Sequence, residues 1–534
     1  MGWQALGDSA WIYRVGDGSR DVRLRRSLAL AERLRSARIP GVVDVVNGYD
    51  TVAVYSHPLQ LEEVGQRVLE WTDDISPGVE TSGRVIEVPV CYGGEAGPDL
   101  VEAARRLGLT PEQVVERHST AEFRVATIGF SPGFPYLAGL PESLHLPRKA
   151  TPVRVKAGSV AIAGGQAGIY PSDSPAGWWV IGTTSLKCFD PLADPPSAVS
   201  PGDQIRFVPV DALDPIPRKA VRPADEGPVE VLEPGAITSL QDGGRTGFRK
   251  WGMASGGALD PVAMAVANAM AGNEADAAVL EVCMTGPKLR FHQPCRVAWV
   301  GWTGGARMRE FDEGDELDLT PGLEWVRGTI AVAGGFLVES RMGSASTDVR
   351  GGFGGVHGRT ILAGDRLRTG ASSVGPAPGS WRVGWPKAPR RKGFMELRVV
   401  KGVQYYDFSK EARTDFCQQW FHVSTKSDRM GVRLEGEEID SPREQMVSQP
   451  MVPGSVQIPP DGMPIVLMNE GQTLGGYPQM AHVISADLPL LARAWPGTSL
   501  RFREVSQEEA ITAWRDLECH LGQLRTGLDF LKRK

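Results

Sequence analysis

The sequence predicts a mainly β chain with α+β parts, built from several similar barrels or sandwiches in series. The first observation is a signature that occurs twice. The segment AGSVAIAGGQAGIYP at 157–171 is similar to PGSVQIPPDG at 453–462 together with GQTLGGYP at 471–478. The second is that each copy is followed by a related phrase, PGDQIRF at 201–207 or PGTSLRF at 496–502. The third is a content of 64 glycines and 40 prolines, which favours turn-rich β structure.

The two copies also have nearly the same length. Gly202 follows Gly158 by 44 residues, and Gly497 follows Gly454 by 43. Self-similarity at a fixed length indicates a repeated structural unit. A weaker echo, LAGDRLRT at 362–369, suggests another copy between them. Units repeated in this way allow an active site to lie between them.

The first half divides into two parts before a linker. Residues 1–85 alternate short apolar runs with helical patterns, which predicts a small α/β domain. Residues 86–210 are strand-rich after one helix, for which Thr110 is the predicted N-cap and Pro111 the first helical residue. The Pro-rich, charged segment 211–228 is the predicted linker.

The second half contains two further β units and a terminal helix. One helix at 260–271 lies among the strands of 229–393, whose last part, 370–393, is a polar connector. The last β unit spans 394–505, and 506–534 is predicted to be an amphipathic helix. Its apolar residues fall near one face: Ile511, Trp514, Leu517, Leu521, Leu524 and Leu528.

Composition and patterning exclude several classes of protein. The net charge is −6 with no strongly basic stretch, which argues against a nucleic-acid partner. The six cysteines form no CxxC pair and the eight histidines no HExxH or HxH cluster, so no disulfide framework and no metal site is predicted. Neither a signal sequence nor a run of 18 apolar residues occurs. We expect a soluble cytoplasmic protein without a membrane partner.

Several motifs carry candidate chemistry. GFSPG at 129–133 matches the GxSxG elbow of serine hydrolases, but Pro132 has no N–H for the oxyanion, so a tight turn is the better interpretation. His118, at the end of its predicted helix, is a candidate general acid or base, with a capping or core histidine as the alternative. His357 and Arg359 lie in a glycine-rich stretch that fits either a binding loop or a mobile one.

The densest polar constellation lies at 239–261. Arginine offers a planar fork to phosphate or carboxylate, and glycine amides can surround an anion. The alternative is an Asp–Arg pair that holds a turn. The charged residues of this stretch include Asp242, Arg245, Arg249 and Asp260.

The motifs together resemble a known family. IEVPVCYGGEAGPDL (86–100), HSTAEFRVATIGFSPGFPYLAGLPE (118–142) and AGSVAIAGGQAGIYPSDSPAGWWVIGTT (157–184) resemble the allophanate hydrolase subunit 1 domain, also called the B subunit of 5-oxoprolinase or the kinase-inhibitor protein family. The second half resembles the subunit 2 domain, which is the C subunit of 5-oxoprolinase. Its matching motifs are SLQDGGRTGFRKWGMASGGALDP (239–261), ANAMAGNEADAAVLEV (267–282) and GQTLGGYP (471–478).

This resemblance to fused B and C subunits implies a fold and an activity. The implied fold is the small N-terminal α/β domain followed by three cyclophilin-like β-barrels in series. The implied activity is ATP-dependent opening of the lactam 5-oxoproline to glutamate, with a separate subunit of the lactam-utilisation family and with Mg²⁺. Oligomeric state, including a homo-oligomer, is left open.

The resemblance also implies roles for named residues. Arg245, Arg249 and the glycines would surround a transferring phosphoryl group, and Asp242, Asp260 or Glu281 would help to hold Mg²⁺. The catalytic candidates are Asp242, Arg245, Asp260 and His118. The candidates for binding substrate or nucleotide are Gly243, Gly244, Arg249, Glu281, His357, Arg359, Tyr170 and Tyr477.

Two other functions belong to the same family of domains. One is the carboxyltransferase part of a biotin-dependent urea or amide carboxylase, which would need partner chains because no biotin-carrier MKM sequence occurs here. The other is inhibition of a sporulation histidine kinase, a binding function. The presence of both halves in one chain favours a composite site and therefore an enzyme.

Overall fold

The computed structural model describes residues 2–71, 83–213, 227–303, 305–371, 381–383, 393–442 and 446–532. Most of the predicted linker at 211–228 and of the predicted connector at 370–393 lies outside the described residues. Strands outnumber helices throughout, so the prediction of a mainly β chain is confirmed. No helix in these ranges combines the length and the apolar character that a membrane span requires.

The N-terminal domain is a four-stranded antiparallel sheet, covered by helices on one face. Helix α1 begins where the Ser19 side chain accepts a hydrogen bond from the Val22 amide, and it ends at Arg38 in the left-handed conformation. The sheet order is β1-β2-β4-β3. The elements are β1 (Trp3–Leu6), β2 (Ala10–Arg14), α1 (Arg20–Ala37), β3 (Val42–Asn47), β4 (Thr51–Ser56) and α2 (Leu61–Val68).

The two faces of this sheet bury different surfaces, which explains why its strands are apolar on both sides. Val54 packs with Leu34 of α1 and Val64 of α2. Ile12 and Ala53 instead join a core that contains side chains of both halves of the chain. The sheet of this domain is therefore packed between the helices of the domain on one face and the barrels that follow on the other.

The first barrel closes with seven strands, and its last strand runs parallel to its first. Helix α4 begins at a reciprocal capping box between Thr110 and Gln113, with Pro111 in the first turn, as the sequence predicted. The elements are β5 (Val85–Tyr92), α3 (Leu100–Leu107), α4 (Pro111–Ser119), β6 (Phe123–Ile128), β7 (Pro135–Ala138), β8 (Val153–Val155), β9 (Ser159–Ala163), β10 (Gln166–Ile169), β11 (Ser174–Ala176), β12 (Trp179–Thr183) and β13 (Gln204–Pro209).

The middle unit consists of two sheets packed around a shared core that includes Val231, Phe291 and Ile330. Their orders are β20-β17-β14-β22 and β15-β16-β21-β18-β19-β23, with no strand in common. The elements are β14 (Val229–Glu233), β15 (Ile237–Gln241), α5 (Pro261–Ala271), β16 (Val279–Cys283), β17 (Lys288–Phe291), β18 (Cys295–Val300), β19 (Ala306–Phe311), β20 (Glu316–Asp318), β21 (Arg327–Val332), β22 (Arg366–Leu367) and β23 (Trp381–Val383).

The middle unit corrects one detail of the predicted fold, because only two of the three predicted barrels close within the described ranges. Between β21 and β22, residues 333–365 form turns and isolated bridges. This segment is rich in glycine, which disfavours regular strands. The predicted helix at 260–271 is present as α5.

The third unit is again a closed seven-stranded barrel. Its first and last strands, β24 and β32, are parallel, as β5 and β13 are in the first barrel. The elements are β24 (Phe394–Lys401), α6 (Lys410–Gln418), β25 (Phe421–Val423), β26 (Gly431–Glu435), β27 (Gln449–Pro450), β28 (Ser455–Gln457), β29 (Ile465–Leu467), β30 (Leu474–Gly475), β31 (Gln479–Val483), α7 (Leu488–Ala492), β32 (Ser499–Glu504) and the terminal helix α8 (Gln507–Lys532).

The strand orders of the two closed barrels correspond one to one around the ring. Strands β9 and β10 of the first barrel correspond to β28 and β29 of the third. The opening parts of the two signature copies lie on β9 and β28. The Tyr-Pro that ends each copy lies in the connection before β12 or β31. The repeat in the sequence is therefore a repeat in the structure, whereas the predicted domain boundaries stay a proposal.

Direct contacts join the first half of the chain to the second. The N-terminal domain and the turn at 129–133 lie against the third barrel and against the loop at 239–261. Four hydrogen bonds illustrate this contact: Tyr55 Oη to Met451 O at 2.9 Å, Ser485 Oγ to Asp8 Oδ1 at 2.6 Å, Arg249 N to Asp44 Oδ2 at 2.6 Å and Gly133 N to Trp251 O at 2.9 Å.

Candidate active site

A cavity of about 1060 Å³ lies between the first and third barrels. One wall comes from the first half of the chain and contains Phe130, Tyr136, Arg148 and residues 164–166, with Arg20 of the N-terminal domain beside them. The other wall comes from the third barrel. It consists of residues 438–442, 446–448, 474–478 and Ile458, Pro460, Gly462 and Gln472.

The two copies of the signature supply facing parts of this cavity. Residues 164 and 165 form the turn between β9 and β10, and Pro460 and Gly462 belong to the corresponding turn between β28 and β29. GQTLGGYP at 471–478 contributes Gln472 and residues 474–478 to the same wall. Equivalent loops of two similar barrels therefore meet at one cavity, which has the size range of small-molecule sites.

Arg20 is held in place by its neighbours on the wall formed by the first half of the chain. Its guanidinium lies 4.3 Å from the ring centroid of Tyr49. The Tyr49 hydroxyl is also hydrogen-bonded to the Gln166 side chain. A Cβ atom at Gly165 would lie 3.1 Å from Arg20 Nη1, so a glycine there leaves room for the guanidinium. Stacking and a close backbone approach together fix this cation before any ligand binds.

Tyr136 and Arg148 form the deeper part of the same wall. Tyr136 is buried and its hydroxyl is hydrogen-bonded to Ser448 of the third barrel, so this contact bridges the halves across the cavity. Burial raises the pKa of Tyr136, and the nearby Arg148 guanidinium opposes that shift. Arg148 is exposed and faces the cavity. None of the described residues forms an ion pair with it.

The wall formed by the third barrel carries acidic side chains at one end and glutamine side chains at the other. Glu438 and Asp440 are exposed at the acidic end. Gln472 Nε2 donates to Gln457 Oε1 at 3.5 Å, and a Cβ atom at Gly475 would come within 2.6 Å of Gln457 Nε2. A side chain at this position would displace the Gln457 amide from where it lies.

The predicted constellation at 239–261 does not line this cavity. Asp242 accepts hydrogen bonds from Ser344 Oγ at 2.6 Å, Ala345 N at 2.6 Å, Ser346 Oγ at 2.5 Å and Gly244 N at 2.8 Å. Gly243 is exposed in the same turn. These donors satisfy the hydrogen-bonding capacity of the carboxylate. Asp242 therefore holds a turn, which was the alternative to a role in binding.

The two arginines of the constellation are also occupied. Arg245 is buried, donates to Ser346 O and lies 4.8 Å from the Phe353 ring; burial lowers the pKa of its guanidinium. Arg249 donates to Ser255 Oγ at 2.6 Å and lies 4.9 Å from the Tyr55 ring. Arg245 is therefore held by residues of the second half, whereas Arg249 contributes to the contact between the halves through Tyr55.

The implied Mg²⁺ site does not fit the three carboxylates that were its candidates. Asp260 is the N-cap of α5 and forms a buried ion pair with Arg493 at 2.5 Å. Glu281 accepts from Leu259 N at 2.7 Å and is paired with Arg429. Among the residues that the structure describes, no group of three or more Asp, Glu, His or Cys side chains could hold a metal ion.

His118 is corrected from a catalytic candidate to a core residue. It is fully buried in the first barrel, its ring stacks on Phe207 at 4.6 Å and its Nδ1 lies 2.8 Å from the Tyr92 hydroxyl. Desolvation lowers the pKa of His118 to about 3. A neutral imidazole without access to solvent cannot exchange protons with a substrate in the cavity.

The remaining candidates divide between the cavity and other places. Tyr477 lines the cavity and is 40% exposed, and Tyr170 is buried behind Phe130. His357 is exposed at φ 54°, and Arg359 forms a two-point ion pair with the buried Asp365 at 2.8 Å, both away from the cavity lining. Of the predicted site residues, the cavity lining contains Tyr477.

Sequence reasoning missed most of the cavity lining, including both of its arginines in the first half. Arg148 lies just before the first signature copy, in HLPRKA, and Tyr136 lies in the GFPYL part of the motif at 118–142. Proximity to those motifs was a usable signal for both. No sequence signal connects Arg20 with this site, because it is the first residue of a helix in another domain.

Comparison with known proteins identifies the family of the two halves. Residues 1–199 match the carboxyltransferase domain, subdomain C and D, and residues 251–504 match the carboxyltransferase domain, subdomain A and B. The chain is 43% identical over 211 residues to the B subunit of 5-oxoprolinase from Escherichia coli O157:H7, covering 38% of this chain and 96% of that protein. The chain belongs to the carboxyltransferase-domain family.

The second half of this carboxyltransferase-family chain has its own relatives. It is 35% identical over 298 residues to the C subunit of 5-oxoprolinase from Escherichia coli K12, covering 53% of this chain and 93% of that protein. The predicted resemblance to a fusion of the B and C subunits is therefore confirmed.

Solved structures share the fold. The crystal structure of TTHA0988 is 36% identical, covers 92% of this chain and 99% of that chain, and has a TM-score of 0.81. The crystal structure of the Kluyveromyces lactis urea carboxylase is 27% identical, covers 56% of this chain and 29% of that chain, and has a TM-score of 0.51. The family fold therefore extends over both halves of the chain.

Proposed function

We propose that this chain is the fused B and C component of a 5-oxoprolinase, which opens 5-oxoproline to glutamate together with a separate lactam-utilisation subunit and coupled to ATP hydrolysis. The observation that carries the proposal is the cavity between the barrels. Each half contributes one wall, and the relatives of the two halves are the B and C subunits of 5-oxoprolinase.

The chemistry explains why ATP is needed. A lactam carbonyl is a poor electrophile because nitrogen donates electron density into it. Transfer of the γ-phosphoryl group to the carbonyl oxygen gives an imidate phosphate and ADP, and water then attacks the activated carbon. The C–N bond then breaks as the ring nitrogen takes up a proton, which leaves an acyl phosphate of glutamate. A second water hydrolyses this acyl phosphate to glutamate and phosphate. Such a step depends on a positioned lactam and on hydrogen-bond donors near its carbonyl oxygen. The cavity offers Arg20 and Arg148 as positioning cations and Gln472 as a donor.

ADP release tests the proposal. The full chain is mixed with the lactam-utilisation subunit, with and without 5-oxoproline, and Arg148→Ala is compared with Arg154→Ala, an exposed arginine of the same barrel. We expect lactam-dependent ADP release that falls at least tenfold in Arg148→Ala and is unchanged in Arg154→Ala. ADP release that does not depend on the lactam would contradict the proposal.

A second candidate function is carboxyl transfer. It is favoured by the family descriptions and by the likeness to the Kluyveromyces lactis urea carboxylase. This reaction would require a biotin-bearing partner, so avidin would abolish it and leave 5-oxoproline hydrolysis intact. The kinase-inhibitor alternative stays a prediction from the sequence.

A further inference from the structure

We propose that Arg148 anchors the carboxylate of the substrate, so that the cavity selects carboxylated cyclic amides and binds them in one orientation, with the carboxylate toward the first barrel. This inference rests on the proposed function and adds the residue that binds the carboxylate and the orientation of the lactam in the cavity. The distribution of charge around the cavity supports it.

Arg148 is available to a ligand. Its guanidinium is exposed inside a concave site and has no ion-pair partner within the described part of the chain. Its charge acts on the nearby phenols of Tyr136 and Tyr170, which places it at the first-barrel wall. A planar fork of this kind matches a carboxylate with two parallel hydrogen bonds, which an ammonium cannot do.

Further positive charge lies on the same wall. Arg20 is fixed over Tyr49 and lines the cavity beside Gln166. Arg20 is also the first residue of α1, so the positive end of that helix lies at the same place. Two guanidinium groups from separate domains therefore line the cavity on the side of the first half.

The opposite wall repels an anion. Glu438 and Asp440 are exposed on the third-barrel side, and the described lining of that wall contains no lysine or arginine. A carboxylated lactam is attracted by one wall and repelled by the other, so charge determines its orientation. The neutral amide end then points to the wall that carries Gln472 and Tyr477.

Binding measurements on the full chain test this inference. Isothermal titration calorimetry compares 5-oxoproline with 2-pyrrolidinone, the same lactam ring without the carboxylate, in wild type, Arg148→Gln, Arg148→Lys and the control Arg154→Gln. We expect wild type and the control to prefer 5-oxoproline. Arg148→Gln should weaken 5-oxoproline binding by about tenfold to a hundredfold and leave 2-pyrrolidinone unchanged, with Arg148→Lys intermediate.

Steady-state kinetics of the complex with the lactam-utilisation subunit give a second readout. Arg148→Lys should raise the KM for 5-oxoproline more than it lowers kcat, because the anchor contributes to binding in the ground state as well as the transition state. Equal affinity of wild type for the two lactams, with ADP release still lactam-dependent, would overturn the carboxylate anchor alone. Binding of neither lactam together with no lactam-dependent ADP release would overturn both proposals.

Discussion

At the scale of single residues, burial decides the chemistry of the histidines. His118 lies in the core of the first barrel. His482 lies on β31 of the third barrel beside Gly7 of the N-terminal domain, and both histidines are fully buried. Desolvation lowers the pKa of each imidazole to about 3. The folded state therefore keeps both rings neutral over a pH range in which the unfolded chain takes up protons.

This burial predicts a pH dependence of stability. As pH falls from about 6.5 towards 3, the unfolded state gains a proton at His118 that the folded state does not, so the free energy of unfolding decreases. The stability lost between pH 7 and pH 5 should be roughly 2 kcal/mol smaller in His118→Gln than in wild type. Urea unfolding at several pH values measures this, with the exposed His520→Gln as the control. Parallel pH profiles of His118→Gln and wild type would contradict it.

The ion pair between Asp260 and Arg493 gives a second prediction. Both side chains are buried, and Arg493 also lies 4.4 Å from the Trp325 ring. Arg493→Met leaves a carboxylate buried without its partner, so we expect a loss of about 3–5 kcal/mol. The exposed pair of Arg501 with Glu396 is the control, and Arg501→Met should change the free energy of unfolding by less than about 1 kcal/mol. Denaturant unfolding compares the two variants, and equal losses would be the contrary result.

At the scale of elements, the apolar face of the amphipathic helix α8 packs against α5. Leu521, Leu524 and Leu528 pack with α5, in a cluster that includes Met264 and Met270. The predicted face is the one that the structure buries. An exposed position with no neighbouring side chain, such as Gly522, contributes only through its helix propensity.

Two substitutions in α8 separate packing from propensity. Leu528→Ala removes a buried side chain and should lower the free energy of unfolding by about 2–3 kcal/mol. Gly522→Ala meets no atom within 4 Å and should raise it by up to about 1 kcal/mol. Thermal unfolding measures both. A stabilising effect of Leu528→Ala would show that α8 does not depend on this contact.

At the scale of the whole molecule, the cavity exists only where the halves meet. Asp8 binds Ser485, Tyr55 binds Met451, and the turn at 129–133 binds the loop at 239–261. Each half alone provides a single wall. The site is therefore composite, and its formation depends on the contact between the halves.

A split chain tests this dependence. Two polypeptides, residues 1–213 and 227–534, should co-purify when they are expressed together, because the contacts between the halves do not need the linker. The mixture should bind 5-oxoproline with an affinity within about tenfold of the intact chain, and neither piece alone should bind it. Size-exclusion chromatography and calorimetry provide the readouts. Lactam binding by one isolated piece would show that a single half contains the site.

The sequence by itself determined the repeated barrels, the terminal helix and the family, because these depend on periodicity, spacing and long motifs within one region of the chain. It did not determine the site. Asp242 and Arg245 stood out as the densest polar group, but residues 344–346, about a hundred positions away, form hydrogen bonds with both of them. Arg148 and Gln472 share a cavity although more than 300 residues separate them. Only the tertiary structure brings such residues together, since spacing along the chain cannot report which polar groups find partners when distant loops pack.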